Sequence, residues 1–184
     1  MILDKIIYRL RTGIIFKNIK ENVVVCDLGC RKNVTFLKQI SSKIKYGYGF
    51  DIDAENYKES NIETKKLNFE SERIPLGDQS VDCILMSAVL EHLNDPKNII
   101  KEAYRILGPG GVFLLTTPSV YAKPILEFLA FKLKIISRED ISEHKKYYKT
   151  SDIVKLFANC GFDEKNVKCK YFELFFNILV IAKK

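Results

Sequence analysis

The amino-acid sequence predicts a doubly wound α/β fold, with a mostly parallel sheet and helices on both faces. Short β-branched runs alternate with segments of helical period at the spacing of βαβ units, which is typical of parallel sheets. The C-terminus differs, because two strand-like runs at 167–172 and 177–182 are separated by only a few residues. A gap that short cannot hold a helical crossover, so these two strands must be antiparallel.

The elements follow in a regular order along the chain. Residues 23–26 are the predicted first strand, and a helix is predicted at 33–41. Further strands are predicted at 46–51, 65–69, 81–87 and 112–117, with a short helix at 54–59. Asp95 and Pro96 are typical of a helix start, and this helix should run to residue 107. Thr150 or Ser151 is the predicted cap of a helix that ends at Gly161.

The 184 residues predict a single domain, since a chain of this length buries roughly 70% of its unfolded surface in one core. An amphipathic helix is predicted at 1–20, with an apolar stripe at helical spacing: Ile2, Ile6, Leu10 and Ile14. It packs on the domain or lies on a membrane surface, but it lacks the uninterrupted apolar stretch of a signal peptide or membrane span. An apolar segment and a basic loop at 120–149 predict a lid over a substrate pocket.

The net charge and the cysteine content indicate which kinds of partner and which cellular compartment to expect. A formal net charge of +7 favours anionic partners, although a lysine-rich surface accounts for it equally well. The five cysteines are odd in number and include no CxxC pair, and the chain has only two histidines. We therefore expect no metal site, and a reducing, cytoplasmic setting.

Two strand ends point to a nucleoside site. In open α/β sheets ligands bind at the carboxyl ends of the strands, near the point where the strand order reverses. Gly29 follows the first strand and lets the backbone approach a ligand, and Asp51 ends the second strand about twenty residues later, where a carboxylate can bind ribose hydroxyls. A dinucleotide fingerprint would also need glycine at 31 and 34, where this chain has Arg31 and Val34. We therefore expect a nucleoside cofactor without phosphates.

An ordered set of motifs supports this expectation. They are VVVCDLGC (23–30), YGYGFDID (46–53), IPLGDQSVDCILMSAVLEHLNDP (74–96) and KEAYRILGPGGVFLLTTPS (101–119). In this order the chain resembles the class I S-adenosylmethionine-dependent methyltransferases of the methyltransferase type 11 group. The resemblance implies a seven-stranded sheet with an antiparallel last strand, S-adenosylmethionine as cofactor, and transfer of its methyl group. The expected acceptor is a lipid-, quinone- or sugar-linked small molecule.

The resemblance also implies roles for ten residues at the cofactor. Asp27 and Gly29 would line its methionine and ribose side, with Cys30 in the same loop. Asp51 would hold the ribose hydroxyls. The adenine would lie against Ile52, Asn68 and Phe69, and the methionine end and the mouth of the substrate pocket would be flanked by Ser87, Leu90 and His92.

One departure from the family pattern leaves alternatives open. Arg31 stands where the family usually has a glycine; it turns outward, pairs with the cofactor's carboxylate, or crowds the pocket. Asn33 tolerates left-handed geometry and could preserve the turn. No catalytic base is assigned, because His92 and His144 are equally compatible with structural roles.

The absence of two sequence motifs reduces the range of expected methyl acceptors and partners. No Asn/Asp-Pro-Pro-Tyr/Phe motif follows the fourth strand and no Pro-Cys dipeptide occurs, so a nucleic-acid acceptor is not expected. Two alternative functions stay open: an RNA methyltransferase, and a non-catalytic partner protein with the same fold. Peripheral contact with a membrane is also compatible with this sequence, and the sequence does not predict the oligomeric state.

Overall fold

The computed structural model describes residues 2–184, with the side chains of 6–184 except that of residue 140. An eight-stranded sheet forms its centre. The strands are β1 (Val24–Leu28), β2 (Tyr46–Asp51), β3 (Tyr57–Glu59), β4 (Ile62–Lys66), β5 (Val81–Ser87), β6 (Leu107–Pro118), β7 (Val167–Phe172) and β8 (Asn177–Lys183). They lie in the order β3-β4-β2-β1-β5-β6-β8-β7.

The pairing confirms the predicted doubly wound fold. β1 pairs in parallel with β2 and β5, and the parallel pairs β2–β4 and β5–β6 extend the sheet on either side. β8 is inserted antiparallel between β6 and β7, as the short C-terminal gap predicts. The strand order reverses between β1 and β5, so a ligand crevice is expected at their carboxyl ends.

The predicted helix at 54–59 is wrong. Tyr57–Glu59 is a short edge strand that pairs antiparallel with β4, and it makes eight strands rather than seven. Glu59 faces Ile62 across a two-residue turn in which Ser60 has a φ of 52°, the left-handed backbone that tight hairpins use. The third predicted strand, at 65–69, also lies three residues earlier, because Ile62 and Thr64 are the buried positions of β4.

Helices cover both faces of the sheet. They are α1 (Ile2–Phe16), α2 (Thr35–Ile40), α3 (Pro96–Ile106), α4 (Lys123–Glu127), α5 (Arg138–Ser142) and α6 (Thr150–Ala158), with a π-helical stretch at Phe128–Lys132 and short 3-10 turns at Leu90–His92 and Glu164–Asn166. α3 and α6 pack on one face, and α1 and α2 pack on the other. Asp95 caps α3 as predicted, accepting the Lys97 N–H at 3.1 Å. The cap residue of α6 is Lys149, one position before the predicted pair.

The predicted apolar stripe of α1 is only partly buried: Ile14 packs against the core, and the side chain of Ile2 lies outside the described residues. Ile6 and Leu10 are 48% and 52% exposed, whereas Ile15 is fully buried. The side chains of Tyr8 and Arg11 turn inward, because the carboxyl ends of the strands present buried acidic groups that a cation and a phenol can face. α1 therefore closes one side of the region where the ligand crevice is expected.

The helices give no evidence of a membrane crossing. Among residues 2–184, no helix combines the length and the apolar character that a transmembrane span requires. Several large apolar side chains of the predicted lid are nevertheless exposed, namely Tyr121, Ile125, Phe128, Phe131, Leu133 and Ile135.

Candidate functional site

A cleft of about 640 Å³ lies at the carboxyl ends of β4, β2, β1 and β5. This volume is within the range of roughly 300–1,000 Å³ that is usual for small-molecule sites. Six of the ten predicted cofactor residues line it: Gly29, Asp51, Ile52, Asn68, Phe69 and His92. The other four, Asp27, Cys30, Ser87 and Leu90, lie beside or beneath the cleft.

In the turn after β1, the backbone of Gly29 lies very close to the side chain of Val89. Gly29 has a φ of 96°, and a Cβ atom there would lie 2.2 Å from Cγ2 of Val89. Only glycine satisfies both constraints without strain. Val89 itself lines the cleft, so this contact brings the loops after β1 and β5 together at the point where the strand order reverses.

The same loop continues with two further left-handed residues. Arg31 has a φ of 58° and Val34 a φ of 51°. These are the positions where a dinucleotide fingerprint would have its second and third glycines. The prediction that Asn33 supplies the left-handed geometry is wrong, since Val34 adopts it, with its side chain buried in the core. Arg31 is exposed and lines the cleft.

Asp51 fixes this loop from the neighbouring strand. Its Oδ2 atom accepts the backbone N–H of Arg31 at 2.9 Å, and Oδ1 accepts the N–H of Asp53 at 2.9 Å. A carboxylate oxygen has two acceptor sites, so each oxygen keeps one for a ligand hydroxyl. Asp51 is therefore held in place and still able to accept hydrogen bonds from the cleft.

The wall of the cleft next to β4 is apolar, apart from the side-chain amide of Asn68. Ile52 is 52% exposed and offers an apolar surface at the cleft. Phe69 lines the same region. Asn68 accepts the Glu70 N–H at its Oδ1 atom, at 3.0 Å, which leaves Nδ2 as its side-chain donor toward a ligand. A planar base with an acceptor at its edge fits this wall.

Asp27 and Cys30 lie below the cleft. Asp27 is 5% exposed; its burial, and then the nearby charge of Asp51, raise the pKa of its carboxyl to about 7. Burial also raises the pKa of the Cys30 thiol, so Cys30 is an uncharged core residue. Its sulfur fills the space beside Gly49, where a Cβ atom would lie 2.9 Å from Sγ.

Of the predicted site residues at the end of β5 and after it, some belong to the protein core and others lie at the mouth of the cleft. The Ser87 hydroxyl lies 3.0 Å from that of Thr116 on β6, and Leu90 is fully buried in the core. His92 faces the cleft, and its ring packs edge-on against His144, with 4.9 Å between centroids. From the segment at 120–149, Glu143 lines the cleft beside this pair.

A buried polar cluster behind His92 was missed by the sequence analysis. Glu91 is 1% exposed, and its Oε2 atom accepts the hydroxyl of Thr117 at 3.0 Å. Burial raises the pKa of Glu91, and Arg11 of α1 opposes that rise. The pKa of Arg11 is lowered, chiefly by burial, and its guanidinium also donates to Asn177 at 3.2 Å. The signal was the glutamate directly before His92, within a motif already singled out.

Comparison with known proteins gives the fold and the family pattern. A family model described as a methyltransferase domain matches residues 4–166. The crystal structure of an S-adenosylmethionine-dependent methyltransferase from Archaeoglobus fulgidus superposes with a TM-score of 0.69 at 19% identity, covering 97% of this chain and 93% of the other.

Curated relatives share segments of the chain. The tRNA U34 carboxymethyltransferase of Nautilia profundicola is 34% identical over 106 residues, which are 53% of this chain and 35% of the relative. The ubiquinone biosynthesis O-methyltransferase of Psychrobacter arcticus is 23% identical over 156 residues, 78% of this chain and 60% of the relative. The chain thus spans less than two thirds of either relative, and their acceptors belong to different chemical classes.

Proposed function

Because the chain belongs to the methyltransferase-domain family, which matches it from residue 4 to 166, we propose that it transfers the methyl group of S-adenosylmethionine to a small-molecule acceptor. The fold and the family imply this cofactor. The observation that carries the proposal is the cleft at the carboxyl ends of β1 and β2, which Gly29 and Asp51 both line.

The cleft residues suit each part of the cofactor. Asp51 accepts from the ribose hydroxyls, Ile52 and Phe69 cover the adenine, and Asn68 donates to its edge. The turn at Gly29 admits the methionine end, and the guanidinium of Arg31 pairs with its carboxylate. Arg31 is exposed at the rim rather than filling the floor, which supports retained cofactor binding over a non-catalytic partner role.

Calorimetric titration with S-adenosylmethionine and with S-adenosylhomocysteine tests the binding. Asp51→Asn should weaken both ligands by about tenfold to a hundredfold, since hydrogen bonds to a charged group contribute roughly 1.5–3 kcal/mol. Asp53→Asn is the matched control, because Asp53 also lines the cleft but does not end the strand. Absence of heat with wild type at millimolar cofactor would refute the proposal.

Methyl transfer from a sulfonium is an in-line displacement, so holding the acceptor atom close and aligned can supply most of the catalysis. The acceptor we propose is partly apolar, such as a lipid-, quinone- or sugar-linked molecule. The exposed apolar side chains of 121–135 support this class and a lid role for 120–149, because such a surface favours an apolar ligand or a membrane interface. The free cysteines support the proposed reducing, cytoplasmic setting.

Transfer of a labelled methyl group to extracted small molecules and to RNA separates the acceptor classes. We expect label in the organic-soluble fraction. Label in RNA, with RNA binding that falls steeply as salt rises, would show the RNA methyltransferase instead.

A further inference from the structure

Glu91, His92 and His144 place three ligand-type side chains together at the mouth of the cleft. One ligand atom of each lies within 4.8 Å of those of the other two. Glu91 and His92 belong to the turn after β5, and His144 follows α5 more than fifty residues later. We propose that these three side chains bind one divalent transition-metal ion.

Further contacts hold the three residues in position. The backbone N–H of Lys145 donates to the carbonyl of Glu91 at 2.7 Å, which joins the two segments. Thr117 orients the carboxylate of Glu91 from β6. The hydroxyl of Tyr147 lies 3.0 Å from Nδ1 of His144, so Nε2 of that ring is the nitrogen left for a metal. Partners of this kind, which fix the orientation of metal ligands, accompany most protein metal sites.

The donor set determines the class of ion. Two imidazoles and one carboxylate bind Mn²⁺, Fe²⁺, Co²⁺ or Zn²⁺ with coordination positions left open, whereas Mg²⁺ and Ca²⁺ prefer oxygen ligands throughout. Binding requires side-chain rotations that bring the three donors to roughly 2.0–2.2 Å from one ion. Arg11 is the competing cation, since its charge acts on both Glu91 and His144.

The location gives the ion a role that rests on the proposed function. His92 lines the cleft, so an acceptor in the cleft would have access to open coordination positions on the ion. An acceptor hydroxyl bound there loses its proton to water more easily, and its oxygen then forms the new O–CH₃ bond as the S–CH₃ bond breaks. The site therefore favours an acceptor that is methylated on oxygen.

Metal binding can be measured without any acceptor. Metal-free wild type is titrated with Co²⁺, which reports nitrogen ligation by its visible absorption, and with Mn²⁺ under equilibrium dialysis. We expect one equivalent to bind. His144→Ala and Glu91→Gln should each weaken binding by more than tenfold, and Tyr147→Phe by about tenfold, since such orienting partners are worth roughly 10–100-fold in affinity.

Two controls keep the result specific. Glu143→Gln removes a neighbouring carboxylate of the cleft that is outside the trio, and it should leave metal affinity unchanged. Arg11→Gln removes the competing cation and should strengthen binding. Circular dichroism identifies variants that fail to fold; His144 is partly exposed, so His144→Ala serves if Glu91→Gln does not fold. Equal affinity in wild type and His144→Ala, or no binding by wild type, would overturn the proposal.

Cofactor calorimetry on the same metal-free protein keeps the two proposals distinguishable. Retained S-adenosylmethionine binding together with absent metal binding would refute only the metal site. Metal binding lost in His144→Ala, in a protein that binds no cofactor, would support the metal site and refute the proposed function.

Discussion

The buried carboxyl of Asp27 makes stability depend on pH in a direction opposite to that of most carboxylates. Its pKa is raised from 3.8 to about 7, first by burial and then by the charge of Asp51. The folded state therefore binds the proton more tightly than the unfolded chain does. Stability from this group is complete below about pH 4 and is lost as the pH rises through about 7.

The size of the effect follows from the two pKa values. At roughly 1.36 kcal/mol per pH unit, the gap between 3.8 and about 7 corresponds to a loss on the order of 4 kcal/mol. Asn has the shape of the neutral acid and does not ionise. Asp27→Asn should therefore unfold with nearly the wild-type free energy at pH 4, and be the more stable protein by a few kcal/mol at pH 8.

Urea unfolding at half-unit pH intervals, without cofactor, measures the difference between Asp27→Asn and wild type. Asp51→Asn is the informative companion, because it removes the second cause of the raised pKa and should reduce the pH dependence without abolishing it. A difference between Asp27→Asn and wild type that stays constant from pH 4 to pH 8 would refute the reasoning.

Three substitutions test the backbone and the ionic contacts by urea unfolding. Gly29→Ala should lower the free energy of unfolding by about 3 kcal/mol, because of the left-handed φ and the contact with Val89. Gly77→Ala, with open space around it, is the control and should lower it by less than about 1 kcal/mol. Equal losses in the two variants would contradict this prediction. Arg31→Gly should gain about 0.5–1 kcal/mol by relieving a left-handed side chain, and a loss would show that the arginine makes a stabilising contact. Arg105→Met should lower the free energy of unfolding by about 3 kcal/mol, because the largely buried guanidinium of Arg105 binds two carboxylates and two backbone carbonyls. A loss below about 1 kcal/mol would show that these hydrogen bonds only replace those that the guanidinium makes with water.

The sheet was predictable because its strands have local signals. The central parts of β1, β5 and β6 are largely buried and appear as short apolar runs, and the C-terminal hairpin follows from the length of its gap. β3 was missed because Tyr57–Glu59 is an exposed three-residue edge strand, whose pairing depends on a turn at Ser60 rather than on burial. Such a segment carries no periodicity to distinguish strand from helix.

The part of the cleft that we propose for the cofactor was more predictable than the part that we propose for the acceptor. Gly29 and Asp51 lie at the ends of adjacent strands, so the topology alone brings them together. Glu91 and His144 meet only through the path of the segment at 120–149, and Arg11 reaches them only because it lies on the buried face of α1. Contacts of this kind depend on tertiary packing, which spacing along one segment does not specify.

The loop after β1 shows that backbone shape can persist where the residue type departs from the family pattern. Positions 29, 31 and 34 all have left-handed φ, although two of them carry side chains that disfavour it. The strain at Arg31 is offset by the hydrogen bond from its N–H to Asp51, and the burial of the Val34 side chain compensates there. The carboxylate that we propose as the ribose ligand therefore also maintains the turn that we propose for the methionine end. Loss of Asp51 should consequently weaken both halves of the cofactor site, and the replacement of glycine by Arg31 alone should weaken neither.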